Sequence, residues 1–304
     1  MKEHLIRLFA EAKNSLGEGP LWCPEEQCLW WIDVASPALC RAEGASGQVR
    51  SWPLPKPPGS IAQLGAGQLA VAFRSGIALV EQPEMMPNWL AISGLALGEE
   101  RFNDGKVDRA GRFWLGTMDR QLKRPIGRLY RLEGLHCTPV SEGFQLSNGI
   151  GWSPDDRTMY FTDTHAHCIF TCDFDIASGE VANQRIFARF DHGPGGPDGL
   201  TVDEEGGVWS VMFDRGAIHR YRPDGTLDQI LRLPVSRPTS CAFGGANLQT
   251  LFVTTARFGL DEDALAQEPW AGGVLAIDLP YRGLAEPRFA LNTADGRHLR
   301  GDAI

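Results

Sequence analysis

The sequence predicts an all-β protein, a six-bladed β-propeller formed as a single domain over residues 1–304. Three features predict it: one form repeated six times, turn-forming clusters at a fixed place in each repeat, and no long stretch with helical periodicity. The form is a polar residue, an apolar residue four positions on, a tight turn, and a strongly apolar run. Its six copies begin at Glu18, Ser60, Asn103, Asn148, Asp198 and Thr239, spaced by 42, 43, 45, 50 and 41 residues. Units of this length with four strands each are the signature of a propeller.

Each element follows from residue type. The turns, such as Cys23-Pro24-Glu25-Glu26, Asp108-Arg109-Ala110-Gly111 and Ser153-Pro154-Asp155-Asp156, favour chain reversal through φ freedom and side-chain-to-backbone bonding. The runs after them (29–32, 69–73, 113–115, 159–162, 208–212 and 251–255) are rich in β-branched and aromatic residues and read as buried strands. Third strands are expected at 127–131, 169–173, 218–221 and 273–277, and fourth strands at 185–190 and 229–233. Residues 5–10 are expected to add a strand to the last blade and cover its open edge. The Pro-rich stretch Pro53–Pro58 falls between units and reads as a blade connection rather than a domain linker. Trp22, Trp30, Trp31, Trp114, Trp152 and Trp209 follow the repeat and read as core.

Composition narrows the function. Hydrophobic residues make up 43% of the chain, enough for a large core. The net charge of −9 argues against nucleic acid or anionic lipid as the main partner. No apolar run reaches the roughly 18 residues that span a bilayer, and the start of the chain lacks a signal-peptide core before Glu11 and Lys13. Seven cysteines without a CxxC pair read as reduced thiols, so a cytoplasmic protein is expected, as a monomer or weak homo-oligomer. The patterns GxSxG, HExxH and Walker A are absent. Gly65-x-Gly67-x-x-Ala70 fits a dinucleotide pattern but lacks the helix that must follow, and reads as a hairpin turn. His165 and His167 read as part of an exposed loop, and Cys168 and Cys172 as small apolar fillers.

The inner strand of each propeller blade starts at one mouth of the central channel, so the six polar positions converge there. Gly19, Gly149 and Gly199 directly follow three of them and permit close approach of backbone. Two carboxylates and two amides aimed at one spot repel and stay under-satisfied unless a cation sits among them. Glu18, Asn148 and Asp198 are therefore expected to hold one divalent ion through oxygen. Ca²⁺, Mg²⁺ or Mn²⁺ suits such ligands, and Zn²⁺ or Fe²⁺ on carboxylates is compatible.

At these residues the chain resembles the gluconolactonase, regucalcin (senescence marker protein) and luciferin-regenerating enzyme family. The resemblance runs from about Leu16 to Leu279. It is carried by Leu16-Gly-Glu-Gly-Pro-Leu-Trp22, Arg101-Phe-Asn-Asp-Gly-Lys-Val-Asp108, Gly116-Thr-Met118, Ser147-Asn-Gly-Ile-Gly-Trp-Ser153, Pro197-Asp-Gly199 and Thr239-Ser-Cys-Ala-Phe-Gly-Gly245. It implies a six-bladed propeller, a divalent metal on Glu18, Asn148 and Asp198, and substrate contacts from Arg101 and Asn103. Arg101 enters from the resemblance alone. Where regucalcin-like members carry a substrate-facing Glu in an Ala-Glu-Glu context, this chain reads Asp119-Arg-Gln121, which makes Asp119 and Gln121 the candidates for setting substrate preference.

The expected function is metal-dependent hydrolysis of a sugar (aldono-) lactone to the open-chain acid, with Asp198 as general base. In the alternative for Asp198 it is a ligand only and the metal alone acidifies water. Two other functions stay open at this point. One is hydrolysis of a phosphotriester or other strained ester on the same metal site, and the other is a non-catalytic calcium-binding propeller.

Overall fold

The computed structural model describes residues 4–291 and contains six four-stranded antiparallel sheets arranged as blades. The inner strands, in blade order, are Gly17–Cys23, Pro58–Gly65, Glu100–Val107, Ser147–Trp152, Gly196–Val202 and Pro238–Gly244. Each contains one of the six repeated polar positions. In blades 1 to 5 the four strands follow in sequence order. Blade 6 takes its outer strand from the chain start: Ile6–Ala10 pairs antiparallel with Val274–Asp278. Residues 54–57 connect blades 1 and 2, and the Gly65–Gln68 pair closes a hairpin. The inner strands of blades 4 to 6 are buried along their whole length, whereas outer strands such as Glu180–Arg189 are largely exposed. Burial therefore falls from channel to rim, as the apolar runs in the sequence require.

Apolar clusters fill the spaces between neighbouring blades, and the repeat's tryptophans lie in them. Several have their indole N–H satisfied. Trp114 Nε1 donates to Asp108 Oδ2 (2.8 Å), which also accepts from Arg112 Nε (2.7 Å). Trp209 Nε1 repeats the arrangement with Asp203 Oδ2 (2.8 Å) and Arg220 Nε (2.8 Å). Trp31 Nε1 donates to Asn14 Oδ1 (2.7 Å).

One short helix, Glu262–Gln267, is inserted before the third strand of blade 6, and Asp261 caps it by accepting from the Ala264 N–H. After blade 6 the chain crosses the face opposite the polar mouth. The Glu204 N–H donates to Arg282 O, and Phe289 N–H to Gln63 O. Glu286 reaches back to Lys106 Nζ (2.8 Å) beneath the channel. Among the described residues no helix is long and apolar enough to cross a membrane. All seven cysteines are free and buried, including Cys168 and Cys172.

Candidate active site at the channel mouth

The inner strands do not run in regular register past the polar positions. Pairing with the second strand is interrupted between Glu18 and Leu21, Pro58 and Ser60, Phe102 and Gly105, Ser147 and Ile150, Pro197 and Leu200, and Pro238 and Ser240. A bulge of this kind re-aims side chains that a regular pleat would hold in the sheet. Neighbouring inner strands then pack tightly. A Cβ on Gly149 would stand 2.4 Å from the Leu200 nitrogen, and one on Gly199 2.2 Å from Ser240 Oγ, so both positions require glycine.

Four of the six equivalent side chains form one polar cluster. Asn103 Nδ2 donates to Asn148 Oδ1 (2.7 Å) and to Ser147 O (2.9 Å). Asn148 Nδ2 donates to Thr164 Oγ1 (2.7 Å), whose hydroxyl donates to Pro197 O beside Asp198 (2.7 Å). On the outer side, Arg101 Nη1 donates to Asn103 Oδ1 (3.2 Å) and Phe102 O (3.0 Å). This chain of bonds fixes the orientation of the Asn148 amide, whose oxygen accepts from Asn103 and keeps a second lone pair. The other two equivalents differ. Thr239 Oγ1 donates to Gly17 O (2.5 Å), tying blade 6 to blade 1, and Ser60 Oγ is buried without a partner.

The carboxylates are electrostatically strained. Burial raises both Glu18 and Asp198 well above the ordinary carboxylate range. Asp198 and then Asp104 add repulsion at Glu18, and Asp104 adds it at Asp198. Asp104 is itself pushed up to about 6 by burial, against the pull of the Gly105 N–H and Lys106. Asp104 is a site residue that the period-2 reading passes over, since alternation places it opposite Asn103. The two-residue interruption between Phe102 and Gly105 accounts for the difference. Among the described residues, no Lys, Arg or His forms an ion pair with Glu18, Asp104 or Asp198. Glu18 and Asp198 repel each other without an ion-pair partner, and the oxygen donors there fit a hard divalent cation.

Asp119, a candidate for setting substrate preference, is occupied by bonds of its own loop. It is fully buried, and its two oxygens accept from the N–H groups of Gln121 (3.2 Å), Lys123 (3.2 Å) and Arg124 (3.0 Å) and from Arg124 Nε (3.3 Å). It caps its own loop, and Asp33 and Asp163, at the ends of the corresponding strands in blades 1 and 4, accept both from their own loops and from the segment entering the inner strand. Gln121 is exposed on that same loop. His165 and His167 lie in the loop after the Thr158–Asp163 strand.

Residues 16–257 match the family described as the SMP-30/Gluconolactonase/LRE-like region. The chain is 37% identical over 287 residues to the 6-deoxy-6-sulfogluconolactonase of Pseudomonas putida, covering 94% of this chain and 98% of that one. It is 35% identical over 305 residues to the L-arabinolactonase of Azospirillum brasilense, covering 93% and 95%. The crystal structure of a calcium-binding protein, regucalcin, from Agrobacterium tumefaciens superposes with a TM-score of 0.89 at 28% identity, covering 95% and 98%.

Proposed function

The chain belongs to the SMP-30/gluconolactonase family, and from that premise we propose that it hydrolyses a sugar lactone with the help of one divalent metal ion. The observation that supports the reading is the mutual repulsion of Glu18 and Asp198 on inner strands of the channel, neither in an ion pair among the described residues, with the bonded amides of Asn103 and Asn148 on the inner strands between theirs. Glu18, Asn148 and Asp198 would hold the ion. When bound, it supplies a Lewis acid that polarises the lactone carbonyl and lowers the cost of the buried carboxylates.

Every other part of the reaction belongs to side chains. Asp198 accepts a proton from the water that attacks the carbonyl carbon, for which an ionised carboxylate close to the substrate is needed. The ring oxygen leaves as the tetrahedral intermediate collapses and takes up a proton, giving the open acid. Asn103, whose two amide N–H groups are held by Asn148 and Ser147, presents Oδ1 as an acceptor for a sugar hydroxyl, and Arg101, fixed by Asn103, donates hydrogen bonds to the sugar. Gln121 contacts the distal part of the sugar from its exposed loop.

A finer point concerns charge on the substrate. Burial, and then the like charge of Arg74, pulls the Arg101 guanidinium down to about 10. Among the described residues neither arginine forms an ion pair with a carboxylate. This favours a lactone with an anionic substituent, in keeping with the relative named for a sulfonated gluconolactone.

The test is a pH-indicator assay of lactone opening across pentonolactones, hexonolactones and a 6-sulfonated hexonolactone, with a phosphotriester as control. Preference for the lactones supports the proposal. Turnover of the phosphotriester alone overturns it in favour of the rival ester hydrolase, and metal binding without any turnover favours a calcium-binding propeller.

A further inference from the structure

A second group of metal-type donors lies at the far end of the inner strand that carries Glu18. Cys23 and Cys28 face each other across the hairpin that joins the first two strands of blade 1. Both are fully buried. Glu26 folds back from the four-residue loop, and its carboxylate and the two sulfurs all lie within 4.8 Å of one another. Two thiolates on tetrahedral zinc at ~2.3 Å each stand about 3.8 Å apart, so small rotamer changes would close this group around an ion. Gln63, from the inner strand of blade 2, is buried, and its side-chain amide touches Cys23 Sγ at 3.0 Å. A half-turn of that amide presents Oε1 to the same point. Arg41 Nη2 stands 3.4 Å from Glu26 Oε2. Glu18 lies five residues away along an extended strand, about 17 Å, so the two groups are separate.

We propose that Cys23, Cys28 and Glu26, with Gln63 Oε1 as the fourth donor, form a site for a thiophilic divalent cation of the zinc class on the face opposite the channel mouth. Soft sulfur donors select such an ion over calcium or magnesium, whereas the all-oxygen cluster at the mouth does the reverse. Two thiolates and a carboxylate carry −3 against the ion's +2, and Arg41, shared between Glu26 and Glu43, borders the remaining charge. Binding converts two thiols to thiolates and releases two protons. The ion would clamp the blade 1 hairpin to blade 2 through Gln63.

The experiment is titration of the full-length protein with Co²⁺ under reducing conditions, read by thiolate-to-cobalt charge-transfer absorption. Wild type is expected to develop the band at one equivalent, release two protons, and lose the band when Zn²⁺ is added. Cys23→Ser and Cys28→Ser are each expected to abolish the band, while Glu18→Gln, at the other site, retains it. If either serine variant does not fold, Glu26→Gln serves instead and is expected to bind Co²⁺ at least 10-fold more weakly. Absence of a thiolate band in wild type, or a full band in the folded serine variants, overturns the proposal.

Discussion

Two sets of buried acids in this propeller differ in one respect that separates structure from chemistry. Asp33 accepts hydrogen bonds from the N–H groups of Ser15 (2.7 Å), Leu16 (3.0 Å), Ala35 (3.1 Å) and Ser36 (3.0 Å). Asp163 and Asp119 do the same at the equivalent strand ends in blades 4 and 3. These carboxylates are saturated by N–H donors of their own loops and, for Asp33 and Asp163, of the segment entering the inner strand, and their role ends there. Asp198 is buried and Glu18 and Asp104 are half-buried, yet each has little more than a neighbouring N–H or none, and they repel one another. Burial alone therefore does not mark the site. An acid left without partners in a low-dielectric channel does, because its energy improves only when something positive arrives.

The sharpest way to break this contrast is to neutralise one member of each set. Asp198→Asn is expected to lower kcat/KM for lactone opening by about 10³-fold, with the thermal midpoint unchanged or raised, since a repelling charge is gone. Retained activity with a lowered midpoint would move Asp198 into the capping class. Glu18→Gln is expected to weaken metal binding at least ~100-fold, read by calorimetric titration. Asp33→Ala should behave in the opposite way: it strands several buried N–H groups and costs about 3 kcal/mol in denaturant unfolding, while the folded fraction keeps its kcat. Arg101→Lys is expected to raise KM about 10-fold with little change in kcat, because a point charge cannot replace the fixed fork.

The smallest effect is one of pH. Hydrogen bonding from Arg124, with the loop N–H groups, holds Asp119 down at about 2, below the ~3.9 of a free aspartate. A carboxyl depressed in the folded state contributes stability that is complete above about pH 4 and is lost as pH falls toward 2. Arg124→Ala raises that pKa, so its acid-unfolding midpoint should move to higher pH than wild type. An unmoved midpoint would mean that the loop N–H groups alone hold Asp119.

Blade number and inner-strand positions were legible in the sequence because turn residues and apolar runs recur at one spacing, and both are local properties. The equivalence of Glu18, Asn103, Asn148 and Asp198 was legible for the same reason. Asp104 was not, because only the interrupted register between Phe102 and Gly105 overrides strand alternation. The bonding of Asp119 was not legible, because an acid beside a loop looks alike in sequence whether it caps that loop or faces a ligand, and only the folded loop shows where its N–H groups point. Thr239 fits the polar repeat, but its hydroxyl reaches Gly17 O, a contact 222 residues away that local pattern does not contain.

The most direct test of the channel site is lactone opening by the intact enzyme before and after exhaustive chelation, then with divalent ions restored one at a time. Activity should vanish with the ion and return on add-back in wild type, but not in Glu18→Gln. Undiminished turnover by verified metal-free protein would contradict a metal role for Glu18, Asn148 and Asp198.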